Sequence, residues 1–149
     1  MQVQTRVMGS VDVAEEQKIS VPKGLFGFEE YTDYVLIESK YKPFMWLQSL
    51  TDENLAFLVI DPFIINSEYE ADIDDKELMK IGIDDPSEVI VLAVVTIPRD
   101  GGPVTANFQG PLILNRKTHE CMQVILNDPR WTTKESIAEA LKKREAEKC

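Results

Sequence analysis

The chain has 149 residues, 44% of them hydrophobic and 28% charged, with a formal net charge of −10; this is one ordinary domain with enough apolar content for a packed core. No stretch approaches the roughly 20 apolar residues of a membrane span, and no apolar signal segment opens the sequence, so a cytoplasmic protein is expected. So acidic a chain repels phosphate backbones, which argues against direct nucleic-acid binding.

The first two thirds read as β-structure. Gln2–Met8 alternates through Val3, Thr5 and Val7 as a strand, Gly9-Ser10 is a turn signal, and Lys18–Val21 is a short second strand ended by Pro22. Tyr34–Glu38, Phe44–Leu50 and Leu55–Asp61 are strand-like, and Thr51-Asp-Glu-Asn54 is the hairpin loop between the last two. Asp74-Asp-Lys-Glu77 carries the capping-box spacing for a short helix, with Leu78, Met79 and Ile81 as its apolar side and Gly82 as its stop. Glu88–Pro98 is the most apolar stretch, too rich in Val and Ile for an easy helix, and reads as a central strand buried on both faces. Asp100-Gly-Gly-Pro103 turns the chain into "VTANFQGPLILN", Val104 to Asn115, and Cys121–Leu126 reads as a last strand in preference to a short helix. Thr132-Thr-Lys-Glu135 repeats the capping signal at the start of a C-terminal helix with a thin apolar stripe. The expected fold is therefore mainly β. It is a small antiparallel β-barrel, closed or nearly closed, over residues 1–131, with one short internal helix and a C-terminal helix or tail over 132–149.

Groups for catalysis are scarce. His119 and Cys121 are two apart with no evident third orienting group, and an apolar run favours a neutral thiol at Cys121. Cys149 ends the sequence as a free thiol, and no disulfide is expected. No Cys-x-x-Cys, Gly-x-Ser-x-Gly, Walker loop or dinucleotide fingerprint occurs. An EF-hand starting at Asp72 fails, because the required sixth-position Gly is Glu77. Carboxylates are plentiful, but nothing singles out a catalytic pair. The sequence thus points to a non-enzymatic protein with no cofactor and no metal.

Recognition surfaces remain. Residues 130–149 hold six Lys/Arg and four Glu, so the −10 divides into +2 on this tail and −12 on residues 1–129. The acidity either serves solubility alone or attracts a basic partner that itself binds RNA. In "PKGLFGFEEY", Leu25, Phe26 and Phe28 cluster around two glycines; such a loop tucks its aromatics into the core or presents them, and burial of an aromatic, worth roughly 2–3 kcal/mol, favours the core. Thr105, Asn107 and Gln109 fall on one face of a strand. They suit strand addition at a sheet edge, or they fix a neighbouring loop.

The ordered blocks "GLFGFEEY", "PFMWLQSLTDENLAFLVIDP", "VIVLAVVTIP", "TANFQGPLILN" and "QVIL" resemble the flagellar assembly factor FliW family over Val3 to Arg130. Departures from the family pattern fall at Phe26, Phe108 and Gly110, where Pro, Leu and Ala are common. The resemblance implies a cytoplasmic, non-enzymatic, barrel-like partner-switching regulator, monomeric when free. Such a protein binds flagellin and antagonises the RNA-binding translational repressor CsrA, relieving repression of flagellin translation. The rival reading is an acidic adaptor or nucleic-acid mimic unrelated to flagella. The matching blocks nominate Gly24, Phe26, Phe28, Glu29, Gln48, Asp61, Thr105, Asn107, Gln109 and Asn115 as partner-contact candidates. Trp46 and Phe57 are expected in the core, which leaves Gln48 and Asp61 as surface groups. The acidic run Glu68–Glu77, with Glu68, Glu70, Asp72 and Asp74, is either a contact for basic residues of CsrA or a solvated loop.

Overall fold

The structure, a computed structural model, describes residues 1–139. Its strands form two antiparallel sheets. The smaller is a hairpin of β1 (Gln2–Thr5) and β2 (Gly9–Asp12). The expected strand over Gln2–Met8 therefore stops at Thr5, whose hydroxyl accepts from Met8 N at 2.9 Å, and Gly9-Ser10 begins the returning strand instead of forming the turn. Gly9, at φ +68°, lets the chain make that return.

The larger sheet contains β3 (Lys18–Ser20), β4 (Asp33–Glu38), β5 (Met45–Ser49), β6 (Ala56–Ile60), β7 (Val89–Thr96), β8 (Thr105–Ala106), β9 (Leu112–Asn115), β10 (Cys121–Gln123) and β11 (Glu135–Ser136). Its main path runs β10-β9-β7-β6-β5-β4-β3, and β8 lies between β7 and β11. Consecutive strands β3 to β6 pair as antiparallel neighbours, β3 and β4 across the long aromatic loop 21–32 and the others across six-residue connections.

Side chains alternate faces, and both faces are buried. Val59, Leu92, Leu112 and Leu114 join a cluster with Val21, Tyr34 and Leu47, whereas Ile60, Val91, Ala93 and Ile113 join the opposite one with Ile83, Phe108 and Trp131. This two-sided burial is why β7 reads as an unbroken apolar run. Beyond β4, Val35 and Ile37 pack with Val3 and Val13, which places the β1–β2 hairpin as a cover over that part of the sheet.

Of the two forms expected, closed or nearly closed, full closure is not seen among the described residues. No sheet closes: the outermost strands β3 and β10 meet only at one isolated parallel bridge, Ser20 to Glu120, where Ser20 N donates to His119 O at 2.9 Å. A second correction concerns Val104 to Asn115. Ala106 pairs with Val95 and Leu112 with Leu92, so six residue steps face three and three extra residues loop out. Asn107 Oδ1 accepts from Gly110 N at 2.8 Å and closes this excursion. The single strand with one polar face is therefore two short strands along β7. Nor is β8 an open edge, because β11 pairs with it.

Among the described residues the internal helix expected at Asp74 is present, and a second short one precedes it. Asp61 caps α1 (Pro62–Ile65), accepting from Phe63 N at 2.9 Å, and Pro62 suits the first helical position. Asp74 caps α2 (Asp75–Met79), and Gly82, at φ +72°, ends it by bonding Met79 O. At the C-terminal signal, Thr132 N donates to Glu135 Oε1 at 3.0 Å, but a turn and β11 follow; helical geometry begins only at residues 137–139. The remainder of the expected C-terminal helix lies outside the described residues.

Candidate functional site

The acidic run is held against the body by its apolar members. Tyr69 is buried at the centre of an aromatic group, 4.7 Å from Phe108 and 4.9 Å from Trp131 between ring centroids. Its hydroxyl donates to Phe108 O at 2.8 Å, and burial holds the phenol well above its ordinary pKa. Trp131 Nε1 donates to Glu70 O at 3.0 Å. Arg130 bridges Asp128, at 2.6 Å, and Glu70, at 3.3 Å, and lies over the Trp131 ring. The Arg130 guanidinium beside Asp128 holds that carboxyl below its ordinary range, and the same pairing raises the guanidinium.

With the run fixed this way, a groove of about 610 Å³ opens between it and the segment that follows β10. Asp72, Asp74 and Glu77 line one wall, Gln123, Ile125 and Asp128 the other, and Phe26 stands at its rim. Phe26 and Ile125 are exposed, at 54% and 57%. Phe26 N donates to Gln123 Oε1 at 3.0 Å, and Gln123 Nε2 donates to Gly110 O at 2.9 Å, which ties the aromatic loop, β10 and the Asn107–Gly110 excursion together. A second groove of about 550 Å³ on the far side of Asp72 and Ile73 includes Asp61, Phe63, Asp75 and Arg116. Among the described residues no cluster of His, Cys, Asp and Glu is arranged to hold a metal ion.

The nominated residues separate into two sets. Phe26, Asp72 and Asp74 meet in the first groove, with Glu70 beside it through Arg130, and Asp61 lines the second. Phe28 is half-exposed and stacks edge-on against Phe57 at 5.0 Å, so the loop presents its aromatics instead of burying them. The physical reason is Leu25, which at 2% exposure already fills the core position below the loop. Gly24 is buried at φ +68°, and Glu29 and Glu68 are exposed. Thr105, Asn107 and Gln109 are half-buried around the excursion.

Two nominations are corrected. Gln48, expected at the surface, is 1% exposed: its Oε1 accepts from Arg6 N at 2.9 Å, and its Nε2 faces carbonyls of the β5–β6 turn, including Leu55 O at 3.1 Å. Asn115, also 1% exposed, donates to Ile81 O at 2.7 Å and accepts from Lys117 N at 2.9 Å. Both are internal braces. Trp46 and Phe57, expected in the core, are half-buried. Phe63, Ile125, Gln123 and Asp128 went unnominated; Ile125 alone carried a signal, as the outward member of an alternating Cys121–Leu126 strand.

Fold and groove define a small antiparallel β protein that presents an acidic concavity with an aromatic rim. The family model described as FliW protein matches residues 2–137. The chain is 49% identical over 137 residues to the flagellar assembly factor FliW of Treponema denticola, covering 92% of this chain and 93% of that one. It is 45% identical to the flagellar assembly factor FliW of Treponema pallidum over the full length of both. A crystal structure of the flagellar assembly factor FliW superposes with a TM-score of 0.83 at 29% identity, covering 92% of this chain and 96% of that one. This chain belongs to the FliW family.

Proposed function

We propose that the chain is a flagellar assembly factor that works in the cytoplasm without catalysis, by binding flagellin and, alternatively, the translational repressor CsrA. CsrA held by this protein releases the flagellin message; flagellin held by it leaves CsrA free to repress. The observation that carries the reading is the first groove, in a chain of this family. It gathers Asp72 and Asp74, carboxylates in no ion pair among the described residues, beside the exposed apolar groups Phe26 and Ile125. Carboxylates flanked by an aromatic anchor suit a basic, partly apolar protein surface. Arg130 neutralises part of the far wall, so the free negative charge concentrates on the Asp72–Asp74 side. Docking this surface on a basic RNA-binding protein adds negative potential within the Debye length of about 8 Å at physiological salt, and so opposes RNA.

The test is capture of purified flagellin and CsrA by the immobilised chain, then competition between them. Both are expected to bind, and reversal of Glu68, Glu70, Asp72 and Asp74 to Lys should weaken CsrA binding tenfold or more. Unchanged affinity in that variant would remove the acidic wall from the contact. Inhibition of CsrA–RNA binding that is equal at low and high salt would remove the electrostatic mechanism.

A further inference from the structure

The groove has a main-chain side that its charge does not describe. Beyond Gln123 the chain continues alongside the Asn107–Pro111 excursion: Val124 N donates to Pro111 O at 3.1 Å and Leu126 N to Gln109 O at 2.8 Å. Earlier, Glu120 O accepts from Asn115 N at 2.8 Å. The inward bonds thus fall on even-numbered residues. Main-chain groups alternate direction along a strand, so Gln123, Ile125 and Asn127 turn theirs outward, into the groove. Among the described residues no main-chain hydrogen bond reaches Ile125 or Asn127. β10 is the last strand of its sheet, and the bridge at Glu120 occupies only its beginning. An unpaired edge of this kind is a template for another strand.

We propose that the edge from Gln123 to Asn127 takes an extended peptide with alternating basic residues, from a protein partner, as an added strand. The chemistry of the occupant follows from the walls. The edge supplies main-chain donors and acceptors for about five residues at roughly 3.3 Å each. Asp72 and Asp74 face basic side chains on alternate positions, and Phe26 and Ile125 take the apolar ones between them. A helix fits less well, because its main-chain groups are already paired and would leave the edge unsatisfied. The proposal rests on the reading that the acidic groove binds protein, and adds the conformation of what it binds.

The probe is a fluorescent octapeptide, Lys-Val-Lys-Thr-Lys-Val-Lys-Thr, with two copies bearing N-methyl groups on either the Lys or the Val/Thr main-chain nitrogens. All three carry the same charge. Anisotropy should show binding of the parent and at least a tenfold loss for one methylated copy, and exchange of the Ile125 and Asn127 amides should slow in the parent complex. Equal binding of all three peptides would mean charge capture alone and overturn the proposal. So would failure of the parent to bind, or amides at Ile125 and Asn127 already protected in the free protein. Capture of flagellin or CsrA without protection of these amides would keep the partner reading and eliminate the added strand.

Discussion

The indole nitrogen of Trp131 donates to the carbonyl of Glu70 at 3.0 Å, joining segments 61 residues apart. This bond and the tilted Tyr69 ring packed on the indole hold the acidic wall in place. Trp131→Phe keeps most of the packing but strands the Glu70 carbonyl, and should lower stability by about 1–3 kcal/mol. Trp131→Ala also opens a cavity and should lose about 3–5 kcal/mol. Urea unfolding of both variants checks the order; wild-type stability in Trp131→Phe would mean that the hydrogen bond contributes nothing, and equal losses that the ring packing adds nothing to it.

Gln48 is expected to behave as a core residue despite its polarity. Gln48→Leu fills similar volume but abandons Arg6 N and the turn carbonyls, and should destabilise by about 1–3 kcal/mol. Amide exchange should accelerate at Arg6 more than at strand β6. Wild-type stability in this variant would return Gln48 to the list of surface groups.

The aromatic loop depends on one glycine more than the other. At Gly24, φ is +68° and an added Cβ would land on Glu29 Cα and 2.7 Å from Phe28 O. At Gly27, φ is +87° and nothing lies within 4 Å. Gly27→Ala should lose about 1–2 kcal/mol from the left-handed backbone alone, and Gly24→Ala clearly more, with Phe26 displaced. Thermal unfolding of the pair, read beside binding to the octapeptide, separates strain from crowding.

Asp128 makes an acid-sensitive contribution. Its hydrogen bonds from Arg130 lower the folded carboxyl below its ordinary value of 3.8. The stabilisation is complete above that ordinary value and disappears as pH falls through the folded one. Asp128→Asn should therefore be less stable than wild type at neutral pH, and the difference should shrink below pH 3.8. A difference constant down to the acid transition would assign the effect to shape alone.

Cys121 is expected to be inert. Burial pushes its thiol up to about 12. In a Cys149→Ser background, thiol reagents should modify the chain only as fast as it opens. Rapid stoichiometric labelling of the native protein would contradict its burial.

Strands with strong patterns were legible before any coordinates. β4, β5, β6 and β7 sit within a residue or two of their sequence boundaries, because alternation and β-branched runs report burial directly. Sheet closure was not legible, since nothing local in Lys18–Ser20 or Cys121–Gln123 says how far apart the outer strands finish. The Asn107–Gly110 excursion was also hidden: Thr, Asn and Gln at alternate positions look the same in a continuous strand and in a capped loop-out. Gln48 and Asn115 misled for a related reason. A buried amide with every group satisfied is indistinguishable in sequence from one facing water. The acidic wall was visible as charge, but its opposite wall, Ile125 and Asp128, required the tertiary bonds of Arg130 and Trp131.

The lone bridge between Ser20 and Glu120 makes the larger sheet a wrapped ribbon fastened by a single stitch. Tension applied across that stitch meets the Ser20–His119 bond and the nearby Phe26–Gln123 bond before it meets any ladder. The molecule should therefore yield first along this line, gaping between β3 and β10 while β4 to β7 stay zipped. Its mechanical weak point then lies beside the rim where Phe26 stands, so whatever grips that rim also clamps the stitch.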